Sequence, residues 1–247
     1  MDNAGADYCL KMGSVIVIPT YNEKNNIRPL VEEVFRIAPA AKILIVDDNS
    51  PDGTGKVADE LANKYTQIAV LHRKRKEGLG KAYIAGFEEA LKINPDYIIQ
   101  MDADFSHNPK YIPQFLREIK NYDLVLGSRF INGEKRPAHV SIMSVWANRY
   151  ARWILGLKIS DCLGGFKCCR KEMLKSIELD KFTAAGFVFQ AEFIYKAYKK
   201  GFTIKEIPIN FYERKSGRTK KSIKIILEAF LKIPLLRLHA FRLNHLP

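Results

Sequence analysis

Continuous apolar runs alternate with stretches of helical periodicity over the first half of the chain. Five runs predict buried strands, at residues 14–19, 42–48, 68–71, 97–101 and 123–127. Between them, apolar residues recur at helical spacing over residues 23–38, 57–65 and 82–91. Strands that alternate with helices in this way predict an α/β fold with a doubly wound, mostly parallel sheet.

The alternation stops after Arg129. Residues 144–155 and 189–200 are predicted to be helical, and residues 203–213 to form an extended arm. We divide the chain into a loose tail (1–13), a main domain (14–213) and a basic C-terminal segment (214–247). The main domain has a nucleotide half at about 14–130 and an acceptor half at about 131–213.

Residues 222–241 have the apolar spacing of an amphipathic helix, and Pro234 is expected to break or kink it. Basic residues interrupt every long apolar run there, so we expect the segment to lie on a membrane rather than cross it. The alternative is an ordinary helix packed on the core. No apolar stretch in the chain is long enough to predict a transmembrane helix, and the N-terminus does not resemble a secretory signal.

The composition fits a folded domain with an excess of positive charge. Of the 247 residues, 47% are hydrophobic and 11% aromatic, and the net charge is +13. Nine Lys or Arg and one acidic residue lie from Arg214 onward, and a second basic run occupies residues 73–76. Such an excess attracts polyanions. No nucleic-acid-binding motif accompanies it, so we favour a nucleoside diphosphate or an anionic lipid and expect no nucleic-acid partner.

The four cysteines, at positions 9, 162, 168 and 169, fit neither a zinc site nor a disulfide framework. Their spacing favours reduced thiols in a cytosolic protein.

Two carboxylates stand two residues apart directly after the strand predicted at 97–101. Asp102 and Asp104 can hold one divalent cation there, because Mg²⁺ and Mn²⁺ prefer hard oxygen ligands and keep water and substrate phosphates as further ligands. Ser106 or His107 is a candidate for another ligand or for holding a metal-bound water. For His107, a contact that supports the metal ligands or packing in the loop is favoured over direct ligation. Because such a metal clamps a diphosphate leaving group, the pattern indicates an enzyme that breaks a bond to a nucleoside diphosphate.

Polar clusters follow four of the predicted strands, at residues 20–23, 47–50, 102–107 and 128–129. Ligands of doubly wound sheets bind outside the carboxyl ends of the strands, so we expect these clusters to line one site. Asp47 and Asp48 suit hydrogen bonds to a base N–H or a ribose hydroxyl. The Pro-Asp-Gly after them is explained by a turn alone.

Other features have both a functional and a structural interpretation. The Gly-x-Gly that ends at Gly80 either lets backbone N–H groups approach a phosphate or only forms a turn. The basic run at 214–221 is either a loop that closes over phosphates beside a membrane or a solvated face. Asp161 and Glu192, in apolar surroundings, are either functional carboxylates or members of buried salt bridges.

Taken together, these motifs resemble family 2 glycosyltransferases, and within them the dolichyl-phosphate mannose synthases. The resemblance extends from Val15 to about Lys221. The motifs that carry it are Pro-Thr-Tyr-Asn-Glu (19–23), Asp-Asp-Asn-Ser-Pro-Asp-Gly-Thr (47–54), Gly-Leu-Gly (78–80), Met-Asp-Ala-Asp-Phe-Ser-His-Asn-Pro (101–109), Gly-Ser-Arg (127–129), Phe-Val-Phe-Gln-Ala-Glu (187–192), and Pro-Ile (208–209) followed by Arg-x-x-Gly-x-Thr-Lys (214–220).

The resemblance implies a GT-A fold with C-terminal amphipathic helices. It implies transfer of mannose from GDP-mannose to dolichyl (polyprenyl) phosphate with inversion, giving dolichyl phosphate mannose and GDP for protein glycosylation. It also implies a peripheral enzyme on the cytoplasmic face of a membrane, the endoplasmic reticulum in a eukaryote. Small membrane-anchor subunits are further candidate partners.

The resemblance also assigns ligand contacts. Mg²⁺ or Mn²⁺ is expected at Asp102, Asp104 and Ser106. The nucleotide sugar is expected to contact Pro19, Tyr21, Glu23, Asp47, Asp48, Gly80, Asp102, Arg129, Arg214 and Lys220. The acceptor phosphate is expected to contact Arg129, Ser144 and Arg214.

This chemistry needs no strong general base, because an acceptor phosphate is already an anion near neutral pH. It needs a cation for the leaving diphosphate and basic side chains that steer the attacking phosphate, for which Arg129, Arg214 and Lys220 are candidates. With Asp104, Arg129 and Arg214, we count Asp161 among the catalytic candidates, as a base or a positioning group.

Two alternatives stay open. One is a polyprenyl-phosphate glucosyltransferase that uses UDP-glucose, because no residue pattern distinguishes guanine from uracil. The other is a non-catalytic subunit that binds nucleotide and membrane. Intact Asp102, Asp104 and Arg129 argue against the second.

Overall fold

A seven-stranded sheet forms the centre of the molecule. The structure, a computed structural model, describes residues 13–131, 142–184, 186–210 and 229–238. The strands are β1 (Ser14–Thr20), β2 (Lys42–Asp47), β3 (Ile68–His72), β4 (Tyr97–Gln100), β5 (Leu124–Ser128), β6 (Lys167–Arg170) and β7 (Ile204–Pro208). Their order is β3-β2-β1-β4-β6-β5-β7, with β6 antiparallel to both neighbours and every other pair parallel. The predicted α/β class and mostly parallel sheet are confirmed.

Helices cover both faces of this sheet. They are α1 (Lys24–Ile37), α2 (Thr54–Lys64), α3 (Leu79–Lys92), α4 (Ile112–Glu118), α5 (Ile142–Leu155), α6 (Lys171–Ser176), α7 (Val188–Lys199) and α8 (229–238). Successive strand residues point to opposite faces, so Val15 and Val17 pack in the core layer with α3, α5, α7 and α8. Ile16 and Ile18 pack in the other layer, with α1, α2 and α4. Burial on both faces explains why these strands are continuously apolar.

Two strands, β6 and β7, lie after Arg129, where the sequence pattern no longer alternates between strands and helices. β7 lies within the predicted extended arm, whose residues 211–213 are outside the described residues. β6 was not predicted, because it is only four residues long and begins with a lysine. Lys167 pairs with Gln100 of β4 and with Leu126 of β5, so β6 joins the strands on either side of it. The predicted acceptor half therefore supplies a strand to the middle of the sheet.

The helix α8 continues through Pro234, so Pro234 does not break it, and the kink, the other expectation, stays a prediction. Ile233 and Leu236 are buried in the core layer with α5 and α7, which holds the helix on both sides of the proline. Proline has no N–H to donate to the carbonyl four residues earlier, that of Phe230. The Tyr150 hydroxyl donates to that carbonyl instead, at 3.0 Å.

Among the residues that the structure describes, no helix has the length and apolarity needed to cross a bilayer.

Candidate functional site

Asp47, at the end of β2, links the loops that follow β1 and β2 through hydrogen bonds. Its carboxylate accepts hydrogen bonds from the Thr20 hydroxyl (3.0 Å) and from the hydroxyl (2.6 Å) and backbone N–H (3.1 Å) of Ser50. Ser50 accepts a further bond from the backbone N–H of Asn22 (3.1 Å). These contacts bring two of the predicted polar clusters together and fix the shape of this rim.

The end of β1 and the loop after it carry three candidate nucleotide contacts. Pro19 lies within β1, opposite Val46 of β2. The Tyr21 ring lies 3.8 Å from the Lys76 ammonium, measured to the ring centroid. Glu23 donates its backbone N–H to the Thr54 hydroxyl (2.9 Å). The loops after β1 and β3 therefore meet at one rim of the site.

Asp48 forms an ion pair with Arg73, which also donates to Glu77 at 2.9 Å. Both members of the Asp48–Arg73 pair are nearly buried. Burial raises the pKa of Asp48, and the attraction of Arg73 opposes that rise. Beside the pair lies an open cleft of about 600 Å³, lined by His72, Arg73, Lys74, Arg75 and Glu77. The basic run at 73–76 is the signal for this pair in the sequence, but no local pattern links Arg73 to Asp48.

Asp102 and Asp104 lie in a tight loop after β4. Phe105 has φ +65°, a left-handed conformation that is costly for a bulky side chain and concentrates at functional sites. In this loop the backbone N–H of Ser106 donates to the Asp104 carboxylate at 3.0 Å. Asp104 and Ser106 are both buried, whereas about a quarter of the Asp102 side chain is exposed. Asp102 therefore presents its carboxylate at the surface of the site.

Two side chains fix Asp102. The Tyr83 hydroxyl donates to its Oδ1 at 2.6 Å, and burial together with the Asp102 charge raises the pKa of Tyr83 well above its ordinary value. Behind the loop, the Asp102 backbone N–H donates to Nδ1 of His107 at 2.9 Å, so we assign the ring proton to Nε2. The His107 ring stacks on Phe166 (4.9 Å between centroids), and burial lowers the pKa of His107. Nothing in the sequence pattern had marked Tyr83.

The donor set of this loop suits a hard divalent cation. Asp102 and Asp104 offer carboxylate oxygens, and Ser106 a hydroxyl. Within the described ranges there is no cluster of three or more His, Cys, Asp or Glu side chains able to hold a metal. A cation here would therefore depend on two carboxylates together with water and ligand phosphates, which is the mode that Mg²⁺ favours.

Arg129 and Asp161 form a buried ion pair after β5. Two guanidinium nitrogens of Arg129 donate to Asp161, from Nε at 2.7 Å and from a terminal nitrogen at 2.8 Å, and the Arg129 backbone N–H donates at 3.1 Å. Burial lowers the pKa of Arg129, but the attraction of Asp161 and its hydrogen bonds together outweigh burial and raise the pKa overall. Glu206 of β7 accepts the backbone N–H groups of Ser160 (2.8 Å) and Asp161 (3.0 Å), which fixes the segment that carries Asp161.

Three other predicted positions have a structural context. Gly80 lies in the first turn of α3, where an added Cβ would stand 2.6 Å from the Ala184 carbonyl oxygen, so this position requires glycine for close packing. Ser144 lies in the first turn of α5. The Glu192 carboxylate accepts the backbone N–H groups of Thr183 (3.1 Å) and Ala184 (2.9 Å). Arg214 and Lys220 lie outside the described residues.

Comparison with known proteins places this site in a family. Residues 15–178 match the model described as Glycosyl transferase family 2. The chain belongs to glycosyl transferase family 2. A polyprenol monophosphomannose synthase of Mycolicibacterium smegmatis is 39% identical to it over 225 residues, which cover 89% of this chain and 85% of the relative. An undecaprenyl-phosphate mannosyltransferase of Micrococcus luteus is 38% identical, covering 90% of this chain and 93% of the relative. The resemblance inferred from the motifs is confirmed, and the chain is a glycosyltransferase.

Solved structures of other glycosyltransferases share the fold. Glucosyl-3-phosphoglycerate synthase from Mycobacterium tuberculosis, in complex with Mn²⁺, UDP and glucosyl-3-phosphoglycerate, aligns with a TM-score of 0.65 at 15% identity, covering 96% of this chain and 81% of that one. The mannosyltransferase PcManGT from Pyrobaculum calidifontis, in complex with GDP-Man and Mn²⁺, aligns with a TM-score of 0.55 at 14% identity, covering 96% and 79%. At these identities the likeness concerns the fold alone, and the predicted GT-A fold is confirmed.

Proposed function

We propose that this glycosyltransferase moves mannose from GDP-mannose to a polyprenyl phosphate, of which dolichyl phosphate is one form, with inversion at the anomeric carbon. The observation that carries the proposal is the 38–39% identity to two relatives whose names specify polyprenyl-phosphate mannose transfer. The position of Asp102 and Asp104 beyond the carboxyl end of β4 supports a nucleotide-sugar site, because ligands of such sheets bind at that edge.

Asp102, Asp104 and Ser106 are the residues that would hold Mg²⁺ or Mn²⁺. When bound, the cation supplies positive charge that stabilises the diphosphate as a leaving group. The buried Asp104 is fixed by the Ser106 backbone, and the more exposed Asp102 is fixed by Tyr83. Both carboxylates therefore have little freedom to reorient, which favours a preformed site.

The acceptor phosphate is an anion, so the protein has to orient it rather than remove a proton from it. Among the residues that the structure describes, Arg129 has a basic side chain suited to this task. Arg214 and Lys220, outside the described residues, are further candidates. Asp161 accepts hydrogen bonds from two guanidinium nitrogens of Arg129. We therefore assign Asp161 the role of orienting Arg129, and not that of a general base.

A polyprenyl acceptor resides in a membrane, and one side of the molecule suits contact with lipid. Helix α5 exposes Ile142, Met143, Trp146 and Trp153, and α8 exposes Phe230, Leu231, Leu235 and Leu238. The two helices touch where the Tyr150 and Phe230 rings stack, 5.1 Å apart between centroids. Large exposed apolar groups that include tryptophan are typical of a membrane interface. We assign this α5–α8 face to peripheral contact with the bilayer, so α8 both packs on the core and faces lipid.

A turnover assay tests the proposal. The chain is incubated with Mn²⁺ and a short polyprenyl phosphate, and with either GDP-mannose or UDP-glucose as the donor. We expect a mannosylated lipid phosphate from GDP-mannose, and an Asp104→Asn variant should lose several orders of magnitude in rate, equivalent to several kcal/mol of transition-state stabilisation.

The controls separate the alternatives. Glucose transfer from UDP-glucose in place of mannose transfer would identify the glucosyltransferase, and no transfer from either donor would indicate the non-catalytic subunit. Asp104→Asn keeps the shape of the side chain, so an unchanged melting temperature shows that a rate loss comes from the site. Wild-type rates in that variant would contradict the metal role of Asp104.

A further inference from the structure

Asn148 joins helix α5 to the backbone segment 160–162, which carries Asp161. Its side chain is buried on the face of α5 that packs into the core. Its Nδ2 donates to the Ser160 carbonyl, and its Oδ1 accepts the backbone N–H of Cys162 at 2.9 Å. These bonds use both the donor and the acceptor of the amide, so they fix its orientation. One side chain of α5 therefore holds the backbone on both sides of Asp161.

Two further contacts hold this segment. The Cys162 thiol donates to Oδ1 of Asn148 at 3.1 Å. Burial together with the Asp161 charge raises the pKa of Cys162 to about 12, so the thiol keeps the proton that it donates. From the other side, the Glu206 carboxylate accepts the backbone N–H groups of Ser160 and Asp161. The segment is therefore fixed between α5 and β7.

The segment in turn fixes Arg129. Asp161 accepts hydrogen bonds from two guanidinium nitrogens and the backbone N–H of Arg129, at 2.7 to 3.1 Å. Each step from Asn148 to the guanidinium is thus a hydrogen bond or a link along the backbone. Asn148 and Asp161 are buried, and buried hydrogen-bonded networks are rigid and specify one arrangement.

The other side of α5 faces away from this network. Trp146 and Trp153 are 64% and 76% exposed. At 3.6 residues per turn they lie about 140° to 160° around the helix from Asn148. The α5–α8 face and the network that ends at Arg129 therefore lie on opposite sides of one helix.

We propose that Asn148 is a positioning residue that links the lipid-facing helix α5 to the arginine that receives the acceptor phosphate. The inference rests on the proposed function, which assigns Arg129 to the acceptor phosphate and the α5–α8 face to the bilayer. The phosphate of a membrane lipid stays near the membrane surface, so the guanidinium has to lie at a set distance from that surface. Asn148 sets this distance through Asp161 and does not touch the substrate.

Steady-state kinetics with GDP-mannose, Mn²⁺ and a short polyprenyl phosphate test this role. Asn148→Ala removes the hydrogen bonds from α5 to the segment. We expect the KM for the lipid phosphate to rise by about 10-fold, the effect of leaving buried polar groups unpaired, and the KM for GDP-mannose to stay unchanged. Ile177→Ala is the control for lost stability, because it opens a cavity at a buried residue after α6. It should leave both KM values unchanged.

Arg129→Lys separates positioning from a general loss of stability. Lysine keeps the positive charge but lacks the fork that pairs with Asp161. Asn148→Ala should therefore raise the lipid-phosphate KM less in this background than in the wild type. Equal rises in the two backgrounds would overturn the proposal, because Asn148 would then act without Arg129.

Glu206→Gln tests the same segment from β7. It keeps the shape of the side chain but offers one acceptor oxygen to two backbone N–H groups, so it should also raise the lipid-phosphate KM. Asn148→Ala should bind vesicles as the wild type does, because both tryptophans are intact. Unchanged lipid-phosphate KM values in Asn148→Ala and Glu206→Gln, or loss of vesicle binding by Asn148→Ala, would overturn the inference alone. Absence of mannose transfer by the wild type would overturn the proposed function, and the inference with it.

Discussion

The Tyr150 hydroxyl donates a hydrogen bond to the backbone carbonyl of Phe230, and the two rings stack with an interplanar angle of 12°. The carbonyl is the one that Pro234 leaves without a helical donor. One tyrosine of α5 therefore compensates for a proline in α8, and this contact keeps α8 continuous at the α5–α8 face.

Tyr150→Phe should lower the free energy of unfolding by about 1 kcal/mol, because it removes this hydrogen bond and keeps the stacked ring. Urea unfolding measures the change. The matched background is Pro234→Ala, which restores an N–H for the Phe230 carbonyl, so Tyr150→Phe should have a smaller effect there. Equal losses in both backgrounds would show that the hydroxyl does not substitute for the missing donor.

Asp161→Asn should destabilise the protein by about 3 kcal/mol, because it leaves the buried charge of Arg129 without its counter-ion. Equilibrium unfolding in urea measures this. Asp59→Asn, at the exposed Asp59–His72 contact, is the control and should change stability by less than about 1 kcal/mol. Unchanged stability of Asp161→Asn would contradict the buried charge pairing of Arg129 with Asp161.

Lys167 should make stability depend on pH. Its pKa is about 7 in the folded state, below the ordinary value of 10.5, so the unfolded state binds more protons between these values. Folding is then favoured as pH rises, and the unfolding free energy of the wild type should increase from pH 7 to pH 9 relative to Lys167→Met. Parallel curves for the two proteins would contradict this. Lys64→Met, at an exposed lysine of α2, controls for the loss of a charge.

Both tryptophans of the chain lie on the exposed side of α5, so tryptophan fluorescence reports on the α5–α8 face alone. We expect vesicles with brominated, partly anionic lipids to quench this fluorescence. Trp146→Ser with Trp153→Ser should reduce vesicle co-sedimentation at least several-fold, because it removes the large interfacial side chains.

Ile93→Ser is the control for the vesicle experiment, because Ile93 is an exposed apolar residue at the end of α3 rather than on α5 or α8. It should bind vesicles as the wild type does. An unquenched wild type that still co-sediments would place the lipid contact elsewhere on the molecule.

Local patterns in the sequence predicted the parts of the fold that local forces determine. β1, β2 and β4 are buried on both faces, so their apolar runs were visible. β6 has no such apolar run, because its first side chain is a lysine. The burial of this lysine depends on Gln190, a partner 23 residues away in the chain.

The same limit applies to the candidate site. The spacing of Asp102 and Asp104 after a buried strand predicted their loop, because that relationship is local. Tyr83 and Arg73 reach their carboxylates from 19 and 25 residues away, and only the tertiary structure brings them there. For Asp161, the sequence leaves a salt bridge and a base as alternatives, and its contact with Arg129, 32 residues away, is visible only in the tertiary structure.

The neighbouring thiols of β6 can report when either core layer separates from the sheet. Cys168 and Cys169 point to opposite faces of the sheet, and each is buried in a different core layer. Burial raises the pKa of both thiols, that of Cys169 to about 12, so neither reacts with an alkylating reagent while β6 stays in place. Pulse alkylation followed by mass spectrometry therefore reads, at two adjacent residues, which of the two layers separates first from the centre of the sheet.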